Sequence, residues 1–206
     1  MKNIPTSAHL HAQSFTVTRA ARERLHGHAA RVLWLTGLSG SGKSTLANAL
    51  EATLHERGRS TYVLDGDLVR RGLSRHLGFA NADRAEHIRR VAEVARLFMD
   101  AGTIVIVALI SPLRVQRDAA RALFAPGDFL EVFVDTPLAI AEARDPKGLY
   151  RQARTGQLPG FTGVGAPYEP PLAADLVVPT HEWPLDQCVA RLLALLEAPA
   201  SCPATR

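Results

Sequence analysis

Residues 37–44 read GLSGSGKS and match the spacing G-x-x-x-x-G-K-[ST]. Chance gives this pattern in roughly one chain of this length in a hundred. Its chemistry is specific. The glycines let successive backbone N–H groups turn inward around phosphate oxygens, and a helix starting there adds its dipole. Lys43 then reaches the β- and γ-phosphates, and the Ser44 hydroxyl ligates Mg²⁺. The whole turn, Gly37, Leu38, Ser39, Gly40, Ser41, Gly42, Lys43, Ser44 and Thr45, is expected to bind a nucleoside triphosphate.

A second cluster, DGDLVRRG from Asp65 to Gly72, puts two carboxylates and two guanidinium groups within eight residues. It is either a solvated turn or half of an active site. In phosphoryl transfer a carboxylate orients the acceptor hydroxyl and takes its proton, while cations spread the developing charge. Asp65 and Asp67 alternate around Gly66, so one is free to face a metal and its waters and the other an acceptor. Further cations follow at Arg75, Arg84, Arg89 and Arg90. Arg84 lies about one helical turn from His87, whereas Arg89 and Arg90 diverge by about 100° and at least one of them faces solvent. Phe79 suits either stacking on a base or anchoring its loop.

These groups need elements to place them. Short β-branched runs at 31–37, 60–66, 103–110, 129–136 and 175–180 read as strands. Helical patterns separate them at 44–58, 83–100, 113–124 and 137–144, and a last amphipathic helix runs through Leu196. Asp83, three residues before Glu86, resembles a capping arrangement. Five strands alternating with helices imply a parallel sheet covered on both faces, with ligands at the carboxyl ends of the strands. The motifs fall at those ends. The Gly/Pro-rich stretch 155–171 interrupts the rhythm and suits a mobile flap over the site.

The 206 residues fit one domain. With 47% hydrophobic and 21% charged residues the composition is globular, which argues against wholesale disorder. The longest apolar run, 104–110, is too short for a bilayer, and no secretory signal opens the chain. Two cysteines, Cys188 and Cys202, do not make a disulfide framework, so a cytoplasmic location is expected. The net charge of +4 suits anionic partners, but the arginines are interleaved with acids and form no basic stripe for nucleic acid. Two His-x-His pairs, His9/His11 and His26/His28, read as a solvated arm rather than a metal site, since they lack further ligands.

The chain resembles the adenylylsulfate kinase family from about Arg31 to about Glu169. The resemblance rests on TGLSGSGKST, the LDGD turn, LGF followed by DR, an ExIRR helix, ISPxR, EVFVDTPL, EARDPKGLY, and FTG with PYE. It implies a three-layer P-loop kinase fold with a mainly parallel five-stranded sheet, spanning 31–198 with a lid at about 147–171. An N-terminal arm (1–30) and a tail (199–206) flank it. It also implies phosphorylation of the ribose 3′-hydroxyl of adenosine 5′-phosphosulfate (APS) by ATP with Mg²⁺. By the same resemblance Asp67 is the base and Asp65, with Ser44, lies at the metal. Arg70 and Arg84 hold the phosphosulfate, and Phe79 and Phe161 sandwich the APS adenine. Lys147 lies near the transferring phosphates or bound APS, Arg144 packs on the ATP adenine, and Ile110 and Ser111 of ISP meet the substrate. The family assigns Ser111 a phosphoserine intermediate. Direct in-line transfer needs no such step, and Ser111 has no adjacent His or Lys to activate it. A homodimer and an ATP sulfurylase partner are further implications.

Three positions depart from the family pattern: Leu68 and His87 each replace an Asn, and Leu109 stands where an aromatic residue is common. An Asn amide donates and accepts at once, whereas neutral imidazole divides those roles between two nitrogens. The phosphate chemistry is intact, so these changes bear on acceptor recognition. Two other readings compete: a diverged P-loop kinase for another nucleotide-like acceptor, and a nucleotide-binding module without turnover.

Overall fold

The computed structural model describes Gln13 and residues 15–198. His9, His11, Cys202 and the tail expected at 199–206 lie outside the described residues. Five strands, β1 (Val32–Thr36), β2 (Thr61–Asp65), β3 (Ile104–Ala108), β4 (Phe129–Asp135) and β5 (Leu176–Pro179), form one sheet in the order β2-β3-β1-β4-β5. Every neighbouring pair is parallel, with Val32 of β1 in register with Val105 of β3 and Phe129 of β4. The connecting helices are α2 (Lys43–Glu56), α3 (Gly66–Arg71), α4 (Asn81–Asp100), α5 (Arg114–Arg121), α6 (Leu138–Arg144) and α7 (Leu149–Arg154). Helix α1 (Arg19–His26) precedes the sheet and α8 (Leu185–Glu197) closes it.

All five residues of β1 and of β3 are buried, as expected for central parallel strands covered on both faces. Alternation divides β1 between two cores. Leu33 and Leu35 pack with α2 and α8 through Leu46, Leu50, Val189 and Leu192. Val32 and Trp34 pack on the other face with Val91, Ala95 and Met99 of α4 and Ala120 of α5. A smaller cluster of Tyr150, Phe161 and Ala141 lies under segment 149–164. Among the described residues, no helix is long and apolar enough to cross a membrane.

Three short helices were not legible in the sequence: α1, α3 and α7. Two expectations are corrected. Helix α4 begins at Asn81, two residues earlier than expected, and its N-cap is Ala80 without a side-chain bond. Asp83 therefore sits inside the first turn, where a negative charge favours the helix dipole, and Glu86 instead pairs with Arg89 and Arg90. The second His-x-His pair is not on a solvated arm. His26 Nδ1 is 2.9 Å from the Gly102 carbonyl oxygen, and His28 Nε2 accepts from the Ser60 backbone N–H at 3.0 Å, so α1 is docked on the sheet.

Candidate active site

β1 delivers the chain to the phosphate loop, and α2 leaves it. A Cβ at Gly37 (φ +154°) would stand 2.5 Å from the Val134 carbonyl oxygen, and one at Gly40 (φ +74°) would stand 2.6 Å from that of Ala141. Only glycine fits where the loop presses on β4 and α6. The α2 N-cap, Gly42, is left-handed and forms no side-chain cap bond, which leaves backbone N–H groups available to an anion. Lys43 is 7% exposed and folds back over the loop, donating to the Gly37 and Leu38 carbonyls at 3.0 and 2.7 Å. Burial, helped by the nearby Lys147 charge, depresses its pKa to about 7, a cost that phosphate oxygens would offset. The Ser44 hydroxyl donates to Asp65 Oδ2 at 2.7 Å. These two hard oxygen donors beside the phosphate loop fit Mg²⁺, which takes few protein ligands and completes its shell with water and phosphate.

Asp65 also caps α3. Its Oδ1 accepts from the backbone N–H groups of Asp67 and Leu68 at 3.0 and 3.4 Å, which leaves Oδ2 for Ser44. Asp67 instead forms an ion pair with Lys147, just ahead of α7. The Arg70 guanidinium lies 4.6 Å from the Phe79 ring centroid and donates to the Gly78 carbonyl at 3.0 Å. Arg84 donates to the Phe79 carbonyl (2.8 Å), the Thr162 hydroxyl (2.9 Å) and the Gly160 carbonyl (2.8 Å), joining α4 to segment 160–162. Burial lowers the pKa of both arginines, and the Arg84 charge adds to the effect on Arg70. Two crowded, partly desolvated cations make a place for an anion.

His87 is 3% exposed. Its Nδ1 lies 2.9 Å from Ser74 Oγ, while the buried Nε2 has no hydrogen-bond partner among the described residues. Burial first, then the Arg70 and Arg90 charges, push its pKa down to about 4, against a smaller opposing pull from Asp67, so the imidazole is neutral. Leu109 is buried beneath Gly66, but Leu68 is 57% exposed and lies off the cavity wall. Arg71, Arg75 and Arg89 are exposed.

The predicted residues converge on one cavity of about 930 Å³ at the carboxyl ends of the strands. Gly37 and Ser41 are buried behind the loop surface and Leu38 faces a separate hollow beside Gly163 and Tyr168, so these three do not line it; every other predicted site residue does. Arg144 lies at one end, with Nη2 3.0 Å from the Thr180 carbonyl oxygen. Thr180, Trp183, Leu185 and Cys188 form the wall there, and the sequence reading missed them. The available signal was an aromatic residue and a proline just after the last strand. Tyr150 was also missed. It is 1% exposed, donates to the Ser39 carbonyl at 3.0 Å and meets the Phe161 ring edge-on at 5.0 Å, so it joins the phosphate loop to the opposite wall.

Comparison with known proteins agrees with this geometry. A family profile described as adenylylsulphate kinase matches residues 29–179. The adenylyl-sulfate kinase of Erwinia tasmaniensis is 62% identical over 160 residues, covering 78% of this chain and 80% of that protein. That of Shewanella amazonensis is 52% identical over 196 residues, covering 95% and 97%. The solved structure of the Mycobacterium tuberculosis APS kinase CysC in complex with AMPPNP and APS superposes with a TM-score of 0.79 at 48% identity, covering 82% of this chain and 99% of that one. With the profile covering most of the sheet and both halves of the cavity, the chain belongs to the adenylylsulfate kinase family.

Proposed function

We propose that the chain uses ATP and Mg²⁺ to phosphorylate the ribose 3′-hydroxyl of APS, giving 3′-phosphoadenosine 5′-phosphosulfate and ADP. The observation that carries this reading is a complete phosphate loop facing Asp67, Arg70 and Arg84 across one cavity. Ser44 and Asp65 would hold Mg²⁺, which would supply charge neutralisation at the transferring phosphate. Lys43 holds the same phosphates. Asp67 accepts the 3′-hydroxyl proton. Its pair with Lys147 is more than half exposed at both ends, and such pairs contribute about 0–1 kcal/mol, so substrate phosphates readily draw Lys147 away. Arg70 and Arg84 hold the phosphosulfate, Phe79 and Phe161 bracket the acceptor base, and Arg144 packs on the ATP adenine.

Ser111 is given a positioning role rather than a phosphoserine. Its hydroxyl is buried and accepts from Trp34 Nε1 at 3.1 Å, with no base bonded to it among the described residues. Segment 147–171 closes over the nucleotides and excludes water. A homodimer, a sulfurylase partner and a cytoplasmic location complete the reading and rest on family membership alone.

The test is ADP release from ATP and Mg²⁺ with APS and with a panel of other nucleotides. APS is expected to stimulate it; stimulation by another nucleotide but not by APS would overturn the proposal. In the same assay Asp67→Asn is expected to cut turnover by about 10² or more with ATP affinity nearly unchanged. Turnover at the wild-type level would remove Asp67 from the mechanism.

A further inference from the structure

Arg117 of α5 is 2% exposed and does not line the cavity. A buried guanidinium is tolerated only when its charge and its donors are matched. Here Nε donates to Glu131 Oε1 of β4 at 2.6 Å, Nη1 to the Ser111 carbonyl at 2.7 Å, and Nη2 to the Glu169 carbonyl at 2.8 Å. One side chain thus ties the sheet, the turn after β3, and the point where segment 155–171 rejoins the body.

The turn needs holding. Ser111 has φ +37°, a left-handed value that a residue with a side chain rarely adopts. An L-residue persists there only when its surroundings over-determine it. Those surroundings are on hand. Thr36 Oγ1 lies 2.8 Å from the Ile110 carbonyl oxygen and 3.3 Å from that of Ser111, and the Trp34 indole occupies the Ser111 hydroxyl. The returning segment is stitched to the same place. The Glu169 N–H donates to the Pro112 carbonyl at 2.8 Å, the Glu169 carboxylate accepts from the Arg114 N–H at 2.8 Å, and the Tyr168 hydroxyl lies 2.9 Å from Thr36 Oγ1. Ile110, Ser111 and Pro112 all line the cavity.

We infer that Arg117 is a positioning residue for the acceptor, and this rests on the APS reading above. Its guanidinium sets the Ile110–Pro112 wall and pins the returning end of the lid to it. Wall and lid end therefore form one fixed piece, and closure is left to the Lys147 end. The phosphate loop receives none of its three bonds.

Arg117→Lys keeps a charge for Glu131, but a single ammonium cannot reproduce the planar three-way reach. The variant is expected to raise the KM for APS by roughly tenfold or more while the Kd for ATP, measured by calorimetry, stays within about twofold. Thr36→Val removes the other donor to the Ser111 carbonyl, and the donor to its neighbour Ile110, without touching a charge. It should give the same acceptor-only change, about threefold, and it decides the question if the lysine variant does not fold. An APS KM at the wild-type value, or equal losses for ATP and APS in step with a lower melting temperature, would reduce Arg117 to a structural role. Absence of APS-stimulated turnover in the wild-type protein would instead defeat the functional reading.

Discussion

His87 lines the cavity on the side of Asp67 and Arg70, where the family pattern has an amide. With Nδ1 beside Ser74, only Nε2 remains for the acceptor, whereas an amide would offer a donor and an acceptor together. His87→Asn is therefore expected to tighten APS by about two- to tenfold, the worth of one hydrogen bond. It should also change the response to acid. A folded pKa of about 4, below the ordinary value, means the unfolded chain binds the proton first as pH falls. Stability is then fully present above about 6.5 and is lost as pH drops toward 4. Urea midpoints at pH 7 and pH 5 should fall further for the wild type than for His87→Asn. Equal falls, with unchanged APS affinity, would show that the imidazole is an inert replacement. His87 was legible in the sequence as a departure, but its setting was not. Gly37 to Ser44 announce a phosphate loop because the turn itself requires that pattern. Arg117, Thr36 and Tyr150 were not legible, because each acts through partners distant in sequence. A charged Glu131 inside the apolar run FLEVFVDT is a sequence hint that a buried cation must lie nearby.

At the scale of elements, the strands and long helices announced themselves because burial on two faces demands continuous β-branched runs and because α4 repeats its apolar positions at three and four residues. The short helices α3 and α7 carry no such period. α3 exists because Asp65 caps it, and the start of α7 is held by Asp145, which accepts from the Tyr150 and Arg151 N–H groups at 3.2 and 3.1 Å. The phosphate loop is likewise shaped by its neighbours, since Gly40 touches the Ala141 carbonyl of α6. Gly40→Ala forces either the loop or α6 to move, and a left-handed alanine adds its own strain of about 1–2 kcal/mol. ATP affinity is expected to fall by tenfold or more. The check is nucleotide calorimetry beside a thermal melt, and ATP binding at the wild-type value would mean the loop is more compliant than its packing implies.

The whole molecule divides its work between the two ends of the sheet. Chemistry sits at the carboxyl ends of the strands, as doubly wound sheets dictate. The amino ends carry an anchor instead. Arg19 of α1 makes a two-pronged bond to Asp128 at 2.6 and 2.8 Å, a bond to Glu23 at 2.9 Å, and one to the Ala30 carbonyl at 2.6 Å. Its hydrogen bond to Asp128 raises its pKa, so the charge is present at every working pH. The Asp128 carbonyl in turn accepts from the Val32 N–H at 2.8 Å, so the anchor grips the entries of β1 and β4 together. Sequence periodicity could not show this, since a solvated arm and a docked helix of this length share the same polar composition. Arg19→Met should lower stability by about 1–3 kcal/mol, since the pair is two-pronged and half-buried. It should leave kcat and both KM values within about twofold, because neither Arg19 nor Asp128 lines the cavity and the bonds lost lie at the opposite ends of the strands. Denaturant unfolding and steady-state kinetics on the same preparation check both halves. A changed APS KM at unchanged stability would show that α1 reaches the site by a route this packing does not contain.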